Sequence, residues 1–101
     1  MSLQRLEKDL DTYTERRDQV AAFRAGLSPA QLVEHDNRSD QELGEVKQEL
    51  EENGKNMDVI DRNQLEQRQI DLIDFGRGGL SRLEGEILDI NTEILRAKNR
   101  R

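Results

Sequence analysis

The sequence predicts an all-α protein, an elongated helical hairpin or coiled-coil bundle of three to four helices that is expected to be oligomeric. Three observations lead there. Leu, Glu, Gln, Arg and Ala dominate, with one proline and only three aromatic residues, Tyr13, Phe23 and Phe75. Apolar residues recur at spacings of three and four, the period of one helix face, and no segment alternates as a strand would. Short runs containing Gly, Ser or Pro interrupt these stripes where helices start and stop. With 101 residues, 38% of them charged and 33% apolar, the chain has little volume for a rounded core. Narrow stripes buried lengthwise between helices are the expected alternative, within one domain spanning 1–101.

The first helix is placed at 2–25. Leu3, Leu6, Leu10 and Tyr13 open an a/d seam that continues to Val20 and Leu27, interrupted where Arg17 and Arg24 fall on it. Gly26 stands just past the expected end. The second helix is placed at 28–36. Ser28 caps it, Pro29 suits the first helical position and Gln31 completes a capping box. This helix is expected to fade near His35–Arg38.

The third helix is placed at 39–75, starting from a second capping box, Ser39 with Glu42. Leu43, Val46, Leu50, Met57 and Ile60 hold one heptad phase, with Asn53 on the seam. Because the phase survives Gly54, the helix is expected to run through it, weakened by about 1 kcal/mol relative to alanine. The alternative is a break at "ENGKN". Pairs such as Glu51–Lys55 and Asp58–Arg62 have the favourable i, i+4 order. Ile70 and Ile73 point to a second side.

The fourth helix, 80–98, carries the cleanest pattern. Leu80, Leu83, Ile87, Ile90, Ile94 and Ala97 keep strict three–four spacing, and Ser81 with Glu84 forms a third capping box. Leu88 and Leu95 widen the stripe. Between the third and fourth helices lies "FGRGGL", residues 75–80. A phosphate loop would need a preceding strand and a Lys-Ser/Thr or dinucleotide spacing, all of which are missing. The segment therefore reads as the corner of a helical hairpin, with Gly76 in the left-handed terminal conformation.

Composition narrows the function classes. A net charge of −6 argues against a general nucleic-acid binder, which is normally basic. The absence of cysteine removes thiolate chemistry and zinc–sulfur sites. His35 is the single histidine, read as an exposed residue near a helix end, so neither metal ligation nor a Ser–His–Asp arrangement is expected. Asp58/Asp61 and Asp71/Asp74 read as solvated charged faces. No catalytic residue, cofactor or metal is expected. No apolar run reaches the roughly 20 residues of a membrane span. A soluble protein is expected, cytoplasmic or virion-associated, without a secretion signal.

What remains is the stripes. The seam Leu3, Leu6, Leu10, Tyr13, Leu43, Val46, Leu50, Leu80, Leu83, Ile87, Ile90 and Ile94 is the expected interaction surface. The expected function is that of a non-enzymatic assembly protein, a scaffold, spacer or minor virion-type component. Its partner would be another copy of itself, another helical protein, or both. Leu88, Leu95, Ile70 and Ile73 are the apolar edges expected to stay uncovered. Two alternatives follow from other features. A small helical adaptor or chaperone would hold a partner's helix in an open groove. A regulator would contact nucleic acid through the basic end, Arg96, Lys98, Arg100 and Arg101.

Overall fold

Serine caps and glycine stops set most of the helix ends. In the computed structural model, which describes residues 2–100, the elements are α1 (Leu3–Ala25), α2 (Pro29–Asn53), α3 (Val59–Phe75) and α4 (Gly79–Asn99). A single 3-10 turn, Gly54–Asn56, separates α2 from α3, and no strand occurs among the described residues. The fold class is therefore all-helical. Ser2 opens α1, its Oγ accepting the Arg5 N–H at 3.2 Å, and Gly26 closes it. The capping box at the start of α2 is complete. Ser28 Oγ accepts the Gln31 N–H at 3.2 Å, and Gln31 Oε1 accepts the Ser28 N–H at 2.9 Å.

The middle of the chain departs from the sequence reading. The helix beginning at Ser28 does not fade at residue 36, and no new helix starts at Ser39. Ser39 lies inside α2 and is buried. A Ser-x-x-Glu pattern caps a helix only where the backbone is free to break, and packing removes that freedom here. Gly76 packs beside this turn: a β-carbon on it would stand 3.6 Å from Ser39 Cβ, ordinary van der Waals contact. The expected run of helix through Gly54 is also wrong. The chain leaves the α-helix at Asn53, makes one 3-10 turn and is extended at Met57. The break lets α3 fold back along α2, which a straight helix could not do. The Arg62 side chain pairs with Glu66 at 3.1 Å, and its backbone N–H donates to the Asp58 carbonyl oxygen at 3.0 Å.

The corner at "FGRGGL" also differs. Gly76 is extended (φ −89°, ψ −166°), and Gly78 supplies the left-handed conformation at φ +80°. Few residues other than glycine adopt that region without strain. α4 begins at Gly79, without a side-chain cap, so Ser81 lies inside the first turn and its capping box does not form. A β-carbon at Gly79 would collide with the carbonyl oxygens of Ile73 and Asp74. This close approach turns α4 away from α3, and α4 pairs along its length with α1 instead. The expected α3–α4 hairpin is replaced by two antiparallel pairs, α1–α4 and α2–α3, that radiate from one corner.

The result is flat and open, 48 × 40 × 16 Å. Its radius of gyration is 16.8 Å, against about 13 Å for a compact chain of this length. Leu6, Val20, Leu83, Ile87 and Ile94 form the buried stripe of the α1–α4 arm. Only Val46 and Leu72 are buried apolar residues in the α2–α3 arm.

Candidate functional site

Two features of this architecture could engage another molecule: the polar corner where the arms meet, and the outer face of α4.

The corner is built from residues far apart in the chain. Arg24, near the end of α1, forms a two-pronged ion pair with Asp36 of α2, Nη1–Oδ1 at 2.7 Å and Nη2–Oδ2 at 3.0 Å. The same guanidinium reaches the Phe75 carbonyl oxygen at 3.1 Å, tying α1 to α2 and to the end of α3. Asp74 is buried and takes Arg16 Nε at 3.0 Å and Arg82 from α4. Arg16 also donates to Asp71. Aromatic edges complete the joint. Phe23 meets His35 at 5.0 Å and Phe75 at 5.5 Å between ring centroids, and the Arg16 guanidinium lies 4.9 Å from the centre of the Phe75 ring. No buried side-chain polar atom lacks a partner among the described residues.

The electrostatics follow from these contacts. Hydrogen bonds from Arg24 hold the Asp36 carboxyl well below its ordinary 3.8, at about 2; burial opposes this, and the His35 ring adds to it. Arg24 is correspondingly raised by the same hydrogen bonds.

An open cleft of about 430 Å³ lies over this joint. Leu72, Phe23 and Phe75 supply its apolar surface, and Arg16, Arg38, Arg68 and Glu42 its charges. Those charges are already matched. Arg68 grips both oxygens of Glu42 and Arg38 bonds Glu34. Ser39, His35 and Asp36 share this region, and His35 Nδ1 is 3.2 Å from Asp36 Oδ1. A nucleophilic arrangement would need Ser39 bonded to His35. No such bond is formed among the described residues, and Asp36 is engaged by Arg24. The corner is therefore equipped to hold helices together.

Several expectations change here. His35 is half-buried against Phe23, not exposed, because α2 continues past it. Asp74 is not on a solvated face but is 3% exposed inside the joint. The sequence signal that could have found the joint was Arg24 on the α1 seam, a charge that needed a partner.

The expected seam turns inward within the chain. Leu6, Val46, Leu83, Ile87 and Ile94 are buried, and Leu3, Leu10, Tyr13, Leu43, Leu50, Leu80 and Ile90 are half-buried. Leu88 and Leu95 remain on the outer face of α4, 68% and 61% exposed, and Ile70 is exposed on α3. Ile73, expected at an uncovered edge, is half-buried. At the basic end Arg96 approaches Glu93 at 4.0 Å, Lys98 and Arg100 are exposed, and Arg101 lies outside the described residues. Among the described residues no helix is long and apolar enough to cross a membrane, and no group of three or more His, Asp or Glu side chains is arranged to hold a metal ion. Comparison of the chain with protein-family models, curated proteins and solved structures finds no match.

Proposed function

We propose that this chain is a non-enzymatic helical scaffold that works by associating with further copies of itself. The observation that carries this reading is surplus surface. A folded protein of this mass ordinarily exposes about 5,900 Å², whereas this chain exposes 7480 Å². The surplus, about 1,600 Å² by that scaling, is twice the roughly 800 Å² that one partner contributes to a standard stable interface. Large apolar residues are part of it, including Leu88, Leu95, Val59 and Ile60. Burial of each such side chain favours association by roughly 1.5–3 kcal/mol. Sedimentation over a wide concentration range tests the reading. Mass rising with concentration supports it, and a monomer throughout ends it.

A second reading, an adaptor that takes a partner's amphipathic helix, is favoured by the cleft at the corner. Phe23 stands at this cleft 40% exposed, an unusual position for a large aromatic side chain. That reading expects a monomer whose melting temperature rises when the partner helix is added. In it, Phe23→Ala removes the rise.

A further inference from the structure

The outer face of α4 carries two leucines placed symmetrically about Asn91–Thr92, with an acid beyond one and a base beyond the other. Leu88 and Leu95 are seven residues apart, two helical turns, so they lie on one line about 10 Å long. Asn91 and Thr92 sit between them on that line. Glu84 lies one turn before Leu88, and Lys98 lies one turn after Leu95. All six are exposed. Thr92 Oγ1 bonds the Leu88 carbonyl at 3.0 Å, so its hydroxyl is satisfied within the helix and can leave water at little cost. Neither Glu84 nor Lys98 is in an ion pair among the described residues.

We infer that two copies of this chain pair through α4, antiparallel, with the two-fold axis passing between Asn91 and Thr92. The inference rests on the self-association proposed above and names its surface and register. In this register each Leu88 meets the other copy's Leu95, twice by symmetry. Each Glu84 lies one residue, about 1.5 Å, from exact register with the other copy's Lys98, within reach of a long side chain, again twice. A parallel in-register pair would set Glu84 against Glu84 and Lys98 against Lys98, and like charges facing each other are disfavoured. A closed two-fold contact needs one self-complementary patch, and this stripe is one. The charge of the molecule also permits it. Thirteen acids against five bases fall within residues 28–75, on the arm that does not carry the stripe, whereas residues 77–101 hold six bases and four acids.

The chain contains no cysteine, so single cysteines can report the register. The experiment combines sedimentation of the full chain with oxidative cross-linking of Thr92→Cys, Leu88→Cys and Leu95→Cys, helix content being checked by circular dichroism. The expected result is a dimer that Leu88→Glu/Leu95→Glu weakens by on the order of 100-fold or more, with helix content unchanged. Thr92→Cys, near the axis, cross-links to itself. Leu88→Cys and Leu95→Cys cross-link when mixed and not separately. Efficient self-cross-linking of Leu88→Cys indicates a parallel pair and overturns the inference. A double glutamate variant that dimerises like the wild type places the contact on another face and also overturns it. Both outcomes leave self-association standing. A wild-type chain that is monomeric up to millimolar concentration removes both.

Discussion

The two arms are equally helical yet held by different forces. In the α1–α4 arm five apolar side chains are buried, and Val20 and Leu83 are almost wholly removed from water. In the α2–α3 arm only Val46 and Leu72 reach that state, and the helices are linked across their outer surface by Arg68 and Glu42. Val59 and Ile60, just past the turn at the tip, are largely exposed. Local stability follows buried apolar contact more closely than helix content. Equal helicity therefore conceals unequal cohesion, and the corner, where arginine and aspartate do the joining, is what makes one molecule of two unequal halves.

The largest expected effect comes from breaking the stronger arm. Leu83→Ala should cost about 2–5 kcal/mol of unfolding free energy, measured by chemical denaturation. The corner comes next. Asp74→Ala removes the common partner of Arg16 and Arg82 and should cost about 1–3 kcal/mol. It should also let the arms spread, which scattering would record as a larger radius of gyration with unchanged helix content. A loss below about 0.5 kcal/mol would mean that the apolar arm alone sets stability.

Acid probes the same joint without mutation. Asp36 titrates near 2 in the folded chain against an ordinary 3.8. A depressed folded-state value stabilises the folded form above the ordinary value, and that stabilisation is lost as pH falls from about 4 toward 2. Its size is at most about 2–3 kcal/mol. Denaturation curves at successive pH values should show this loss in the wild type and a smaller one in Asp36→Asn. The smallest effect belongs to the surface of the weaker arm. Glu42→Gln breaks an exposed ion pair and should change stability by about 1 kcal/mol or less, diminishing further in high salt.

Much of the local structure was legible in the sequence. The extent of α1, the Ser28–Pro29–Gln31 start of α2 and the inward seam of α4 all depend on residues within a turn or two of each other. What depends on distant contacts was not. Ser39 with Glu42 looks like a helix start, and only the burial of Ser39 in the folded chain shows that the backbone continues through it. The heptad phase from Leu50 to Met57 is kept across a chain reversal, because spacing in sequence carries no record of direction in space. The pairing of Arg16 with Asp74 spans 58 positions, and no local pattern announces it. The corner was the hidden part of the candidate site. The exposed α4 stripe was the visible part, since Leu88 and Leu95 already stood apart from the strict seam.

The order of elements has a kinetic consequence. The helices of the strong arm are separated by more than fifty residues, whereas those of the weak arm are joined by a turn of five. Nearby segments close their loops faster than distant ones. The thin pair is therefore expected to form early and act as a clasp, bringing the chain's first and last helices within reach of one another. A substitution in that clasp, such as Leu72→Ala, should slow folding more than it speeds unfolding, and Ile94→Ala should do the reverse.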